Sequence, residues 1–344
     1  VSRKLIFRII LAIVVIGAGY RYFTQKQPQY EMTYVSGQTM GTIQYNVKYL
    51  GDDVPNYKSE IDSVLKAFNQ SLSTYIPNSE ISHLNKTGRL DKPTQMFQDV
   101  IVRSNVVFET TSGAFDPTVG PLVNAWGFGP DKIVKVPDSS KIDSLRMWVG
   151  FDRIKFSADS VVMDQEMYLD FSAIAKGYAV DLVAQFLESN DIFNYMVEIG
   201  GEVVAKGVNQ DNEIWKIGIE DPMVNRDEQK LLAIVRLKDL GMATSGNYRN
   251  YYEVGGRTIA HTIDPRTGYN TNHSLLSASV FASDCMTADA YATAFMVLGV
   301  EESKRIVESN DLEAFLIYQG ENGELKSYIS EGLKSLVDLD RTDQ

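Results

Sequence analysis

The sequence predicts a mixed α/β (α+β) fold, and three observations carry that expectation. First, apolar residues recur with the helical period in some stretches (Ile61, Val64, Leu65, Phe68, Leu72) and alternate with the strand period in others (Ile43, Tyr45, Val47, Tyr49). Second, 344 residues with 44% hydrophobic and 23% charged side chains can bury a large core, in one big domain or two interlocked ones. Third, no GxGxxG opens a helix after a strand and no P-loop is present, so any dinucleotide is bound by a route other than the Rossmann one. The chain has no internal repeat and no low-complexity tract.

The elements follow in order. Residues 1–29 are read as a signal or membrane-anchor segment and linker: Arg3, Lys4 and Arg8 precede or interrupt the apolar run Ile9 to Gly19. Positive charge before that run favours an N-in orientation, with the body exported to the periplasmic side of the inner membrane. No cysteine follows the run to carry a lipid. The globular body is expected over 30–344. Tyr34 to Tyr49 reads as a hairpin bent at Met40-Gly41-Thr42, and Lys58 to Leu72 as an amphipathic helix. Ser79 to Asn85 reads as a short turn or helix. A second helix follows Pro93 and stops at Gly113, and 138–149 is a further helix. Ile154 to Phe156 and Val161 to Asp164 suggest a hairpin. A strand from Met167 to Asp170 is expected to feed a helix with Ile174, Tyr178, Leu182, Val183 and Phe186 inward. Tyr195 to Lys206 reads as one strand bent at Gly200-Gly201, followed by strands at Trp215 to Ile219 and Leu232 to Leu237. Thr244-Ser245-Gly246 is placed in a turn, and His261 on a short strand before the turn at Asp264 to Gly268. Leu275 to Phe281 reads as a buried strand, and a helix runs from about Met286 to a stop at Gly299. The chain closes with a helix (301–309), a strand (312–318) and a helix (327–336).

Composition excludes several functions. The net charge is −12 and no basic run compensates, so nucleic acid gains no counterion-release attraction. Cys285 is the lone cysteine, which rules out an internal disulfide, a zinc ribbon or an iron–sulfur site. The three histidines are scattered and HExxH is absent. Any metal is therefore expected on oxygen ligands.

Asp289 and Thr293 supply such oxygens. Four apart on a helix, they share one face, and a carboxylate with a hydroxyl suits Mg²⁺ or Ca²⁺ better than Zn²⁺. The alternative is that Asp289 helps the helix start and Thr293 back-bonds to its own helix. The Gly-, Pro- and aromatic-rich stretch 113–130 suits a loop lining a flat aromatic ligand, or else an Ω-loop packed by its own rings. Asp170, Ala173 and Lys176 are three apart at a helix start, where orphan N–H groups and a lysine make a phosphate site, with Asp170 capping the helix or holding a ribose hydroxyl. His261 is either structural or a base.

Seven segments then act together: GQTMGT (37–42), AFDPTVGPLVNAWGFG (114–129), LDFSAIAKGYAVD (169–181), VEIGGEVVAKG (197–207), ATSGNY (243–248), HTIDPRTG (261–268) and DCMTADAYATA (284–294). In these the chain resembles the ApbE family, the FAD:protein FMN transferases, over almost the whole body. The resemblance implies a T-fold-like architecture of two interlocked lobes with FAD in the cleft, export, and Mg²⁺ dependence. It implies transfer of FMN from FAD to a threonine hydroxyl of an acceptor flavoprotein by a phosphoester bond, with release of AMP. Family acceptors are redox-pump subunits and other extracytoplasmic flavoproteins. Carried over motif by motif, Met40, Tyr75, Ala114, Phe115, Asp116, Asp170 and Lys176 become FAD contacts, and Gly200, Gly201, Ser245 and Gly246 line the cleft. The backbone oxygen of Ala173 with Asp289 and Thr293 holds the metal, and His261 matches the catalytic histidine at the flavin site. The same residues would serve an FAD pyrophosphatase with water as acceptor, or a non-catalytic FAD carrier. Two departures stand out. The common lipobox cysteine is missing, and Ser172 stands where many relatives have glycine.

Overall fold

The computed structural model describes residues 31–128, 136–224, 230–247, 251–254 and 257–339. The expected N-terminal anchor lies outside them, and no helix of the described residues is long and apolar enough to cross a membrane.

Alternation at the start of the body produces the expected hairpin, β1 (Glu31–Thr39) with β2 (Ile43–Gly51). These strands begin an eight-stranded antiparallel sheet. The others are β6 (Tyr195–Ile199), β7 (Glu202–Lys206), β10 (Leu240–Gly246), β13 (Leu275–Ala282), β14 (Glu313–Gln319) and β15 (Leu325–Ile329), in spatial order β1-β2-β6-β7-β10-β13-β14-β15. The central strands are apolar on both faces because both are covered. On β14, Ala314 and Leu316 join the main core while Phe315 and Ile317 join a second core. That second core packs against a smaller sheet of β8 (Trp215–Glu220), β9 (Leu231–Leu237) and β16 (Val337–Leu339).

Helices cover the main-core face. The periodic stretches form α1 (Lys58–Leu72), α2 (Glu80–Thr87) and α3 (Gln95–Thr110), the last two capped by Ser79 and Thr94. Past the short α4 (Gly120–Ala125) and α5 (Ser139–Arg146) come α6 (Ala175–Ser189), α7 (Cys285–Leu298) and α8 (Val300–Ser309). A three-stranded ribbon of β3 (Arg89–Asp91), β5 (Ser160–Val162) and β4 (Lys155–Phe156) and a hairpin of β11 (Tyr251–Val254) and β12 (Arg257–Ala260) complete the described elements. The α7 helix is apolar nearly all round, as a helix buried on every side should be.

Five expectations are corrected. Tyr195 to Lys206 is a hairpin and not one bent strand. Gly200 (φ 62°) and Gly201 (φ 103°) both take positive φ, which turns the chain back on itself. Met167 to Asp170 is not a strand: the side-chain amide of Asn85 clasps Leu169, donating to its carbonyl and accepting from its N–H at 2.8 Å each, in place of a ladder. Thr244 to Gly246 is the end of β10, paired with Ser279 to Ser277 on β13, and not a turn. His261 follows β12 in a bend and not on a strand. The expected last helix is instead β15, a single 3₁₀ turn at Glu331–Leu333 and β16, since β14 and β9 each offer a strand edge.

The registers gather several of the expected site segments. The Met40 tip, the Gly200-Gly201 tip, the end of β10 and the start of β13 all fall at one end of the large sheet.

Candidate functional site

The N-terminal turns of α6 and α7 cross at that sheet, and the crossing is held by reciprocal carboxylates. Asp181, in the second turn of α6, accepts the N–H groups of Cys285 and Met286 at the start of α7, both at 2.8 Å. Asp289, in the second turn of α7, accepts the N–H of Gly177 at the start of α6 at 2.9 Å. Each helix thus fills orphan donors of the other, where the macrodipole also favours negative charge. The crossing is tight: a Cβ on Gly177 would stand 2.2 Å from the carbonyl oxygen of Cys285.

Among the described contacts the geometry departs from the helix-internal reading of the Asp289/Thr293 pair. The cap of α7 is Asp284, whose carboxylate accepts from the Thr287 N–H (2.7 Å) and hydroxyl (2.6 Å), so Asp289 does not start the helix. The Thr293 hydroxyl lies 3.4 Å from the Ser245 hydroxyl and makes no bond to its own helix among the described contacts. The Asp289 carboxylate is 3% exposed, a depth at which a carboxylate needs partners. Burial pushes its carboxyl up, and Lys176 and the Gly177 N–H oppose that.

The expected phosphate site at the start of α6 is altered by the same bond. In a continued helix the Gly177 N–H would bond the carbonyl of Ala173, four residues back. It goes to Asp289 instead, and among the described residues no backbone N–H reaches the Ala173 oxygen. The result is a released carbonyl, a buried carboxylate and a hydroxyl on converging elements, a hard-oxygen set that fits a divalent cation such as Mg²⁺. Among the described residues no group of three His, Cys, Asp or Glu side chains could hold a metal. Asp170 does not cap α6, which starts five residues later. Its Oδ1 accepts the Ser172 N–H (2.8 Å), and its own N–H donates to the Pro117 carbonyl (2.8 Å), tying this segment to the 113–128 loop.

Lys176 forms an ion pair with Glu202 at the start of β7. Burial works against the lysine charge, but Asp289 and Glu202 outweigh it and raise its pKa. Burial first and the Asp289 charge second push the Glu202 carboxyl up. Sequence reasoning missed Glu202 and Asp181. The available signals were an acidic residue directly after a Gly-Gly turn, and an aspartate three residues beyond the core-facing Tyr178.

In the 113–128 loop, Ala114 and Phe115 are buried. The Asp116 carboxylate is turned into its own loop: Oδ1 accepts the Thr118 N–H (2.7 Å) and hydroxyl (2.6 Å), and Oδ2 the Phe151 N–H (3.2 Å). Burial raises its pKa to about 6. Tyr75 stands 80% exposed, a ring that gains from being covered by a flat ligand. Met40 caps the β1–β2 tip at φ 46° and packs on the main core.

The His261 ring meets that of Phe128 edge-on at 6.2 Å, and Phe128 packs against a satellite cluster of Leu122, Trp126, Ile142 and Ile263. Bonds from distant residues tie the His261 segment, Arg146 to the Arg266 carbonyl (2.6 Å) among them. The Trp126 indole donates to the Gly268 carbonyl (2.9 Å), and the Thr262 hydroxyl to Asn247 (2.5 Å), two residues beyond Ser245.

The ApbE family model matches residues 40–316. The chain belongs to the ApbE family. Among ApbE relatives, the FAD:protein FMN transferase of Haemophilus influenzae is 40% identical over 86% of this chain and 89% of its own length. That of Vibrio cholerae is 39% identical over 89% of this chain and 93% of its own. The solved ApbE flavin transferase of Vibrio cholerae superposes with a TM-score of 0.80 at 37% identity, covering 89% of this chain and 99% of that one. The apo flavinyl transferase ApbE of Pseudomonas stutzeri gives 0.80 at 32% identity, over 90% and 97%. The mixed α/β fold with its large antiparallel sheet is the ApbE fold.

Proposed function

We propose that this ApbE-family transferase moves FMN from FAD onto a threonine hydroxyl of an acceptor flavoprotein, releasing AMP, with Mg²⁺ required. The observation that carries the reading is the buried Asp289, four residues from Thr293 and bonded to Gly177 so that the Ala173 carbonyl is released. These three residues would hold the cation, which when bound neutralises charge on the pyrophosphate. Lys176 adds a positive charge beside them. Tyr75 and the buried 114–116 segment offer a ring and a rigid wall to the flavin or adenine. The threonine oxygen forms a bond to the FMN phosphorus as the P–O bond to AMP breaks. The threonine proton passes to His261, an imidazole being suited to accept it near neutral pH. The basic and apolar residues before position 24 support a body on the periplasmic side of the inner membrane, anchored by that segment, where exported flavoproteins such as redox-pump subunits would be acceptors.

The test is an intact mass of an acceptor bearing an exposed threonine motif after incubation with the chain, FAD and Mg²⁺. A gain of one FMN less water, absent with EDTA, is expected. AMP and free FMN without adduct would favour the pyrophosphatase. FAD recovered intact beside a proven acceptor would favour the carrier.

A further inference from the structure

Glu202 is a buried acidic residue that the proposed mechanism leaves unused. It is 2% exposed, it opens β7 directly after the Gly200-Gly201 turn, and one oxygen, Oε1, is paired with Lys176. The other, Oε2, is enclosed and meets no donor among the described residues. An unsatisfied buried carboxylate oxygen is costly and calls for a reason.

The surroundings give one. The turn that precedes Glu202 is fixed on its far side by a relay across neighbouring strands. The Tyr34 hydroxyl donates to Asn46 (2.6 Å), Asn46 donates to Glu198 (2.7 Å), and Glu198 accepts the Gly201 N–H (2.8 Å). The Gly200 N–H is held by the Gln44 carbonyl at 3.1 Å. On the near side, the point a Cβ on Gly200 would occupy lies 3.4 Å from Lys176 Cδ and 3.8 Å from Glu202 Oε2. The lysine stem and the carboxylate therefore both lie beside the backbone of Gly200. A lysine has four rotatable side-chain bonds, and aiming its ammonium at one point requires a fixed partner. Glu202 is fixed, since the turn behind it is bonded from both sides.

We infer that Glu202 is a positioning residue: it holds the Lys176 ammonium at the Gly200-Gly201 turn, where Lys176 meets the phosphates of the bound dinucleotide. This rests on the reading of Lys176 as a phosphate contact. Glu202 itself touches no substrate. Its effect on the ligand passes wholly through Lys176, and it acts on phosphate-bearing ligands alone.

The test is ligand binding by flavin fluorescence in EDTA, so that neither cation nor turnover enters, and the result does not depend on whether an acceptor is ever flavinylated. FAD and riboflavin, which lacks phosphate, are compared for wild type, Glu202→Gln, Glu202→Asp, Lys176→Gln and the Glu202→Gln/Lys176→Gln double variant. Glu202→Gln is expected to weaken FAD about tenfold, the scale of one charge-assisted contact, and to leave riboflavin unchanged. Glu202→Asp, which keeps the charge, is expected to recover part of the loss. In the Lys176→Gln background, Glu202→Gln is expected to add nothing. Equal losses for FAD and riboflavin would make Glu202 a purely structural residue and overturn the inference. So would independent, multiplying losses in the double variant, or unchanged FAD binding in Glu202→Gln. Should Glu202→Gln fail to fold, the FAD-to-riboflavin ratio of Glu202→Asp decides in the same way.

Discussion

The two halves of the candidate site are built differently. The Asp289 half rests on two helices buried against the large sheet. Their N-termini exchange carboxylates, and Gly177 lets the backbones nearly touch. The His261 half is built from bends and two short helices around a small satellite cluster, tied by bonds such as Trp126 to Gly268. A cation and a pyrophosphate demand fixed oxygens and gain from a rigid, over-determined frame. Under the proposed function His261 would exchange a proton with an incoming protein side chain, and groups of that kind commonly sit on loops carried by a rigid scaffold.

The largest effects should fall on the rigid half. Asp289→Asn is expected to take transfer below detection while FAD binding persists in part, read by acceptor mass and flavin fluorescence. Full activity in that variant would remove the cation from Asp289. Next, Gly177→Ala drives a methyl into the Cys285 carbonyl. It should cost about 1–3 kcal/mol or more in a denaturant melt, because neither backbone can retreat while the carboxylates hold. An unchanged melt would show that the crossing is soft.

The His261 half should respond in rate and less in stability. His261→Ala is expected to lower kcat by about 10²–10⁴-fold, the usual range for a lost general base, with a melting temperature near wild type. A drop in stability that matches the drop in rate would make His261 structural. Trp126→Phe removes one buried indole donor and should cost about 1 kcal/mol, with a modest rise in KM for the acceptor.

Acid stability offers the smallest test. Asp116 has a folded pKa of about 6, raised by burial above its ordinary value. Its folded state holds the proton more tightly than the unfolded chain does. The stabilisation is therefore full below about pH 4 and is lost as pH rises through 6. Asp116→Asn should flatten that slope in urea melts taken between those values. An unchanged slope would assign it to other groups.

The contrast also explains what the sequence could and could not say. The strand and helix of 275–299 were legible to within a residue or so, because a long apolar run with a terminal Gly299 leaves little choice. The Asp289/Thr293 spacing was legible for the same reason. The Gly200-Gly201 hairpin was not, since two glycines mark a turn and a bulge equally well in one dimension. The clasp of Leu169 by Asn85 spans 84 residues, and no local pattern announces it. Glu202 escaped notice because its meaning comes from Lys176, which lies in a distant segment. The loop of 113–128 was legible as composition, but not the inward turn of Asp116 towards Thr118 and Phe151.

The most direct measurement is a titration with Mn²⁺, visible by electron paramagnetic resonance, into the FAD-bound chain and into its Asp289→Asn variant. One tight site is expected in the wild type, displaced by Mg²⁺, and lost in the variant although FAD stays bound. Equal Mn²⁺ binding in the two proteins would contradict a cation seat at the crossing of α6 and α7.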